Sequence, residues 1–567
     1  MPNPKITLCL ILILTLQSLG IFVTSDALSA NKPSADQDAP QFIQSILNNK
    51  QSSLLHKSDF SEEYAVLATL YSPNSTTPLW FINDRVTPSA LALLNVLNQA
   101  ATYGLNTADY EANSLTAHLM DLSRPGKSIT AQQQAALDIA ISTVAVRFIR
   151  HLHYGRIDPR QVGFNLPITR NQELDVASTL INLSKSHDLY TDIEKLEPQF
   201  THYRLLKSAL TRYQTLAEHP EWVQLRKPTS TSIKQGDSYS DVPALRRLLL
   251  AEQDLTASAT ETNNHTELDD TRFDPLLVQA LKNYQFRHGL TADGILGPQT
   301  FKALTTPFSK RVQQIELTLE RWRWLPPLQS PMIVVNIPQF KLFAFKSTDD
   351  TEANLLRMEV IVGQAFEHTQ TPVFLGEMKY MVFRPYWDVP LSITQRELLP
   401  NIRRNPNYLE QHHFELVKGQ SDQSPVVPAT LENINQLATG KIRIRQRPGE
   451  DNALGNIKFM LPNKYNVYLH STPAQQLFNE SRRAFSHGCI RVSNTLALAE
   501  YVLSNAAEPW HQENITAALQ GEANQRVNLI KPIPVMIVYG TVMPLESGVV
   551  QFFEDIYGHD AKLAALL

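Results

Sequence analysis

Cysteine is almost absent from this sequence. Cys9 and Cys489 are the only two among 567 residues, and Cys9 lies in an N-terminal segment with the pattern of an export signal. The exported chain would therefore keep one thiol without a partner, whereas exported proteins normally pair their cysteines or avoid them. Cys489 is then either a buried core residue or a nucleophile.

An excess of charge of either sign is also missing. The chain has 51 basic and 55 acidic side chains, a net charge of −4. Proteins that bind nucleic acid usually carry a basic patch or stripe, so the composition gives no support for a nucleic-acid partner. Hydrophobic residues make up 43% of the chain, which is enough for packed cores. At roughly 150 residues per domain, the length predicts three or four folded units.

Long hydrophobic runs are confined to the N-terminus. Lys5 precedes an uncharged stretch from Ile6 to Leu16, which has the length of the hydrophobic region of a secretory signal rather than of a spanning helix. Residues 1–27 are therefore predicted to be a signal peptide. Apolar residues resume at Leu19, so an uncleaved signal anchor is the alternative. We expect the rest of the chain to lie outside the cytoplasm.

Two helical regions follow the signal. Residues 41–220 show helical periodicity and are predicted to form a helical scaffold. Residues 231–306 have the pattern of a small three-helix module, with a polar insert at 256–270 that we predict to be an exposed loop. Its closing run, DGILGPQT at 293–300, supplies glycines for turns and leads into a last helix. This pattern resembles the small peptidoglycan-binding module; the alternative is a degenerate copy that serves as a spacer.

The residue pattern changes to strands from Pro331 onward. Residues 333–337 and 341–345 predict a hairpin, and further strand-like runs continue to Tyr539. Residues 392–455 are polar and helical in pattern, so we interpret them as a cap inserted into the strand domain, which spans 331–540. The last segment, 541–567, is predicted to be a strand and a helix that pack on the scaffold or on the strand domain.

Two short runs carry the chemistry, YLHSTP at 468–473 and SHGCIRV at 486–492. Side chains alternate between the two faces of an extended segment. Val467 and Leu469 should therefore face the core, opposite Tyr468 and His470. By the same rule Ile490 and Val492 anchor one face, and Cys489 and Arg491 share the other. This pattern argues against a buried structural thiol.

A nucleophilic cysteine needs a base, because the thiolate is the reactive form. His470 and His487 are both candidates, but His487 would have to fold back sharply, whereas His470 can approach from a neighbouring strand. The Gly488 amide, with that of Cys489, is a candidate donor to an oxyanion. Arg491 has a planar fork suited to a substrate carboxylate, or it pairs with an internal acid.

Zinc is the competing interpretation of the two histidines and the cysteine. We find no fourth ligand at a standard spacing and neither a CxxC nor an HExxH motif. We therefore predict neither a metal nor an organic cofactor. A papain-like endopeptidase is disfavoured as well, because its histidine follows the cysteine along the chain, whereas His470 precedes Cys489.

The SHGCIRV run, the YLHSTP run and the VNIPQFKL strand pair resemble the YkuD-type L,D-transpeptidase domain, and the whole layout is similar to the large Gram-negative members. The resemblance implies a multidomain protein with a mostly-β catalytic domain and an inserted helical cap. It implies Cys489 as nucleophile and His470 as proton acceptor and donor. Ser471 takes the position of the triad's third member, which some relatives use only through its backbone. The resemblance also places four residues at the substrate: His487, Arg491, Tyr468 and Trp387.

The family's reaction follows as an expectation. Cys489 would form a thioester with a peptidoglycan stem peptide, release D-Ala and pass the acyl group to a second stem, giving a 3–3 cross-link in the periplasm. Water as acceptor would make an L,D-carboxypeptidase, and a lipoprotein lysine an anchoring enzyme. A further alternative is a non-catalytic scaffold that binds peptidoglycan and holds other cell-wall enzymes as partners. An uncleaved signal would tether the chain to the inner membrane.

Overall fold

The N-terminal part of the chain is helical. The computed structural model describes residues 39–72, 77–122, 124, 128–166, 174–256, 271–327, 329–347, 350–366, 368–405, 407–421, 423–506, 508 and 510–567. The predicted signal at 1–27 and nearly all of the predicted loop at 256–270 lie outside these residues. The helices of this first part are α1 (Ala39–Asn49), α2 (Tyr64–Leu70), α3 (Pro88–Asn98), α4 (Ala112–Leu122), α5 (Ala131–Tyr154), α6 (Val176–Ser184), α7 (Leu189–Glu194) and α8 (Thr201–Ala217), with a small hairpin of β1 (Phe81–Ile82) and β2 (Arg85–Val86).

Helix α5 organises this helical region. It begins with a capping box in which the Thr130 hydroxyl accepts from the Gln133 amide. It is buried along most of its length, and several of its polar residues bond within the helical region. The carboxylate of Asp138, for example, accepts hydrogen bonds from the amides of Leu79 and Trp80 and from the Tyr71 hydroxyl. None of the helices in the described ranges is both long and apolar enough to cross a membrane.

A second core joins α8 to a small helical module. The module's helices are α9 (Val242–Ala251), α10 (Pro275–Arg287) and α11 (Pro298–Leu304), and α12 (Phe308–Arg323) follows them. Apolar residues of α8, the module and α12 form one buried cluster. Helix α12 also carries Glu320, whose carboxylate accepts from the backbone amides of Arg156 and Ile157 beyond α5. These contacts hold the module against the helical region.

A closed sheet forms the strand domain. Its strands are β3 (Met332–Asn336), β4 (Lys341–Phe345), β5 (Leu356–Gly363), β6 (Phe374–Phe383), β11 (Ile457–Met460), β12 (Leu469–His470), β13 (Ala484–Ser486), β14 (Ile490–Val492) and β15 (Gln525–Val538), with helices α17 (Thr495–Leu503) and α18 (Gln512–Gln520). The strand order is β13-β5-β14-β12-β11-β6-β15-β3-β4, and β4 pairs back to β5. This closure gives a barrel-like sheet around an apolar core. The predicted β3–β4 hairpin is confirmed.

The segment inserted between β6 and β11 has its own core. It carries short helices, α13 (Leu391–Ile393), α14 (Leu399–Arg404), α15 (Tyr408–Gln411) and α16 (Leu431–Leu437), and a π-helical turn at Thr394–Leu398. It also has strands β7 (Trp387–Asp388), β8 (Phe414–Val417), β9 (Val426–Val427) and β10 (Arg443–Gln446), in the order β7-β10-β8-β9. The helical cap expected from the sequence thus also contains a four-stranded sheet, whose strands are too short to show an alternating pattern.

The C-terminal segment packs both in the core shared by α8 and the small helical module and in the core of the barrel. It forms β16 (Val542–Pro544), β17 (Val550–Phe552) and α19 (His559–Ala564). The single strand predicted here is a two-stranded hairpin, which packs in the core shared by α8 and the module. Leu563 of α19 belongs to the barrel core instead. The carboxylate of Asp560 pairs with Arg321 of α12 at 2.5 Å. This ion pair holds the C-terminal segment against α12.

Candidate active site

Three adjacent strands of the barrel place their polar residues in one row. Lys458 of β11 is in register with His470 of β12, and His470 is in register with Arg491 of β14. Residues in register lie side by side on the same face of a sheet. A histidine therefore lies between two cations, and Cys489 begins the next row beside Tyr468.

The apolar half of the alternation expected from the sequence is confirmed, whereas His470, predicted to lie on the opposite face, is itself buried. Val467 and Leu469 are buried, as are Ile490 and Val492. The Cys489 thiol is only partly buried and has no disulfide partner, so it belongs to the polar face rather than to the core. The buried neighbours on either side hold this face in position.

His470 is held as a neutral base. Its Nδ1 lies 2.5 Å from the Ser471 carbonyl oxygen. A carbonyl can only accept, so Nδ1 carries the proton and Nε2 is the basic nitrogen of the neutral ring. Burial, followed by the charge of Arg491, lowers the pKa of His470 to about 3. The imidazole is therefore uncharged at neutral pH and can accept a proton.

A glycine makes room for this arrangement. Gly455 precedes β11 with φ of +59°, a conformation that L-residues with side chains rarely adopt. A Cβ there would come within 2.7 Å of the Ser471 side chain and 2.8 Å of the Thr472 amide nitrogen. The backbone of Gly455 therefore packs directly against Ser471, next to His470. The structure thus offers the Ser471 carbonyl, not its hydroxyl, as the orienting group.

The thiol of Cys489 is protonated at rest. Its sulfur lies 3.6 Å from the Asn466 carbonyl oxygen, to which it donates. Burial raises the pKa of Cys489, whereas hydrogen bonds from Tyr468, and then the charges of Lys458 and Arg491, lower it. The pKa of Tyr468 is itself raised, by burial and then by the Cys489 sulfur, and a hydrogen bond with Trp387 lowers it. Tyr468 therefore links the nucleophile to the inserted segment.

The Gly488 amide is not free to stabilise an oxyanion, contrary to the expectation. It donates to the Ser486 hydroxyl at 3.1 Å, and that hydroxyl donates to the Cys489 carbonyl at 2.5 Å. The Gly488 carbonyl accepts from the Thr371 hydroxyl at 2.8 Å. These bonds fix the turn before the nucleophile. The amide of Cys489 itself has no acceptor among the described residues and is the better candidate donor.

Arg491 has no acidic partner in the described part of the chain. Its Nε is buried and makes no hydrogen bond there, and burial lowers its pKa. A buried cation without a counter-charge is costly. The alternative that Arg491 merely pairs with an internal acid is therefore wrong for these residues, and the side chain is available for a ligand carboxylate.

Comparisons with known proteins agree with this geometry. Residues 330–516 match the family described as "L,D-transpeptidase catalytic domain", residues 240–304 the "Putative peptidoglycan binding domain" and residues 65–210 the "Scaffold domain". The catalytic domain belongs to the YkuD family of L,D-transpeptidases. A Haemophilus influenzae protein described as "Putative L,D-transpeptidase" is 31% identical over 294 residues, a match that covers 50% of this chain and 58% of the relative.

His487 of the L,D-transpeptidase domain contacts the inserted segment. Its Nε2 lies 2.8 Å from a carboxylate oxygen of Glu397, in the π-helical turn, and both side chains are nearly half exposed. The ring therefore faces the insert instead of folding back on Cys489. Trp387, on β7 of the insert, approaches the same site through its bond to Tyr468. Two independent contacts thus connect the insert with the row of catalytic candidates.

Several residues of the L,D-transpeptidase site were missed in the sequence: Lys458, Asn466, Glu397, Gly455, Ser486 and Thr371. Lys458 lies on β11, a strand that was not predicted, and its register with His470 was not visible either. Glu397 contacts the site only because the insert folds over it. No group of three metal-ligating side chains is found in the described ranges.

Proposed function

We propose that this protein is an L,D-transpeptidase that forms 3–3 cross-links between peptidoglycan stem peptides through a thioester on Cys489. The observation that carries this proposal is the row Lys458–His470–Arg491 beside a partly buried thiol. A neutral base and a thiol carried by two paired strands, with an unpaired cation on the same face, are suited to acyl transfer between charged peptides. The matched domain and the name of the Haemophilus influenzae relative support the same reaction class.

In the first step, the Cys489 sulfur attacks the carbonyl of the third stem residue. Its proton passes to Nε2 of His470, and the C–N bond to D-Ala breaks as His470 returns that proton to the leaving amine. In the second step, an amine of another stem attacks the thioester. His470 takes the amine's proton and gives it to the departing thiolate. The Ser471 carbonyl holds the imidazole in the required tautomer throughout.

Arg491 and Lys458 would recognise carboxylates of the stem peptide, with Arg491 binding as a planar fork. They also adjust the base, because both charges lower the pKa of His470. A bound carboxylate would neutralise this positive field and make the imidazole more basic. Substrate binding would therefore assist the proton transfer from Cys489 to His470.

The inserted segment would act as a lid over the thioester, through the His487–Glu397 contact and the Trp387–Tyr468 bond. Excluding water would favour transfer to an amine over hydrolysis. Deleting residues 392–455 should therefore raise tripeptide relative to cross-linked product. An unchanged ratio would contradict the lid.

The test is mass spectrometry of products after incubation with disaccharide-tetrapeptide, beside a Cys489→Ala control. We expect a dimer that is lighter than two substrates by one D-Ala, and its absence from the control. Tripeptide alone would support L,D-carboxypeptidation instead. No change in either sample would contradict both and favour lipoprotein anchoring or a binding role.

The same proposal places the protein in the periplasm, with peptidoglycan as its substrate and other cell-wall enzymes as candidate partners. It rests on the export-signal pattern of residues 1–27 and on the match of residues 240–304. An uncleaved signal would tether the protein to the inner membrane. Fractionation and N-terminal sequencing of the exported chain would decide between the two forms.

A further inference from the structure

A cavity of about 920 Å³ lies where the small helical module, α12, the barrel and the C-terminal hairpin meet. Its walls include Phe286 and Lys302 of the module, Lys310 of α12, and Phe340 and Arg483 of the barrel. None of Cys489, His470 or Arg491 lines it. The cavity is thus separate from the catalytic site, although Arg483 immediately precedes β13, which leads to the Cys489 turn.

The acidic groups on its walls are already engaged. Glu359 pairs with Lys341 at 3.0 Å and also with Arg483. Glu554 lies 3.6 Å from Arg482. The two remaining wall acids, Asp555 and Asp560, interact with the Tyr539 hydroxyl and with Arg321. Three of the four wall carboxylates therefore already face a cation, and Asp555 accepts hydrogen bonds from uncharged donors only.

Three cations on the module side have no acidic partner in the described ranges. Lys310 donates to the amide oxygen of Gln313, and Arg311 donates to Gln314 and to a backbone carbonyl. Lys302 is exposed. The uncompensated charge of the wall is therefore positive, and it would attract an anionic ligand.

An aromatic side chain lies beside these cations. Phe286 is 58% exposed, although its chain neighbours Gln285 and Arg287 are buried. Ligand sites typically combine apolar or aromatic walls with a few charged groups. The apolar face of a sugar ring can pack on such a ring, while carboxylates of an attached peptide reach the lysines.

We propose that this cavity is a second peptidoglycan-binding site, which holds a glycan strand with its carboxylate-bearing stem away from Cys489. The inference rests on the proposed function for the identity of the polymer. Because the cavity is formed jointly by the module and the barrel, polymer bound there would contact both. It would keep the L,D-transpeptidase domain attached to peptidoglycan between turnovers. The local concentration of stem peptides at the active site would then be higher.

The test is co-sedimentation with purified peptidoglycan sacculi, measured in the full chain carrying Cys489→Ala so that no turnover intervenes. The variants are Lys302→Glu/Lys310→Glu and Phe286→Ala. Lys234→Glu, an exposed lysine of the same module outside the cavity, is the matched control. Thermal unfolding of each protein checks that it is folded.

We expect the double charge reversal to weaken sacculus binding by roughly 2- to 30-fold, since two exposed ionic contacts are lost. Phe286→Ala should weaken it too, and Lys234→Glu should bind like the parent. Added salt should weaken sacculus binding by the parent more than sacculus binding by the double variant. Parent-like binding by the folded cavity variants, or an equal loss in the Lys234→Glu control, would overturn the proposal.

Sedimentation is also independent of the reaction itself. If the wild-type chain gave no product from disaccharide-tetrapeptide, transpeptidation would fail, yet a loss of binding confined to the cavity variants would still support the site. Conversely, cross-linking by a chain that does not sediment with sacculi would overturn the second site alone.

Discussion

Two arginines, Arg287 and Arg491, show how differently the module and the candidate active site treat charge. Arg287, at the end of α10, is 3% exposed and donates to Glu252 and Asp254, each at 2.5 Å. Arg491, on β14, is partly buried and has a buried Nε without a partner in the described residues. The first cation is compensated within the protein, as a structural charge must be. The second is left for a ligand, so stability and recognition are separated between the two regions.

The largest effect should come from breaking the compensated pair. Arg287→Met would leave Glu252 and Asp254 buried without their counter-charge, which costs about 3–5 kcal/mol of unfolding free energy. Chemical denaturation measures it. Adding Glu252→Gln and Asp254→Asn should restore much of the loss, because the stranded charges are then removed. A triple variant as unstable as the single one would contradict this account.

Arg491→Gln should have the opposite profile. We expect the midpoint of thermal unfolding to stay the same or rise, because an uncompensated charge is removed. The kcat/KM for disaccharide-tetrapeptide should fall roughly 10- to 150-fold, as expected when a charged hydrogen bond is lost. Arg491→Lys should recover little, since it lacks the planar fork. Full activity with a lowered unfolding midpoint would make Arg491 a structural residue.

Lys458→Met tests whether the second cation of the row acts on the nucleophile. Lys458 lowers the pKa of Cys489, so its removal should raise that pKa and reduce the thiolate fraction at a given pH. At pH 8 the alkylation of Cys489 by iodoacetamide should slow by up to about fivefold. Peptide mass spectrometry follows the reaction. A faster rate in the variant would contradict the assigned sign.

The pH profile of the reaction should not show an ordinary histidine. The pKa of His470 is lowered to about 3, so the free enzyme keeps a neutral imidazole as pH falls from 8 to 5. We therefore expect kcat/KM to show no acid limb near pH 6.5 from this residue. An acid limb near pH 6.5 in the wild-type profile that is lost in a His470→Gln variant of measurable activity would contradict this account.

The smallest effect should come from Glu397→Gln. The His487–Glu397 contact is nearly half exposed, and exposed ion pairs contribute about 0–1 kcal/mol. We expect the ratio of tripeptide to dimer to rise by less than about fivefold, with the unfolding midpoint unchanged. Glu410→Gln, an exposed carboxylate elsewhere in the insert, is a control for unspecific loosening. An equal rise in that control would remove the special role of Glu397.

The sequence by itself determined which residues share a face. Alternation placed Val467 and Leu469 in the core and left His470 and Cys489 opposite them, because the period of an extended chain depends only on local geometry. The β3–β4 hairpin was predictable for the same reason. The motif at 486–492 pointed to Cys489 as the candidate nucleophile because its run of residues resembles that of a known family.

Only the tertiary structure decided how those faces meet. The register that puts Lys458 beside His470 depends on how β11 pairs with β12, and nothing in the sequence of either strand specifies that pairing. A shift of one residue would have moved Lys458 to the core face. The occupied amide of Gly488, the sheet inside the insert and the contact of Glu397 with His487 likewise depend on long-range packing. The free charge of Arg491 is of this kind too, since a sequence shows a cation but not which acids it fails to reach.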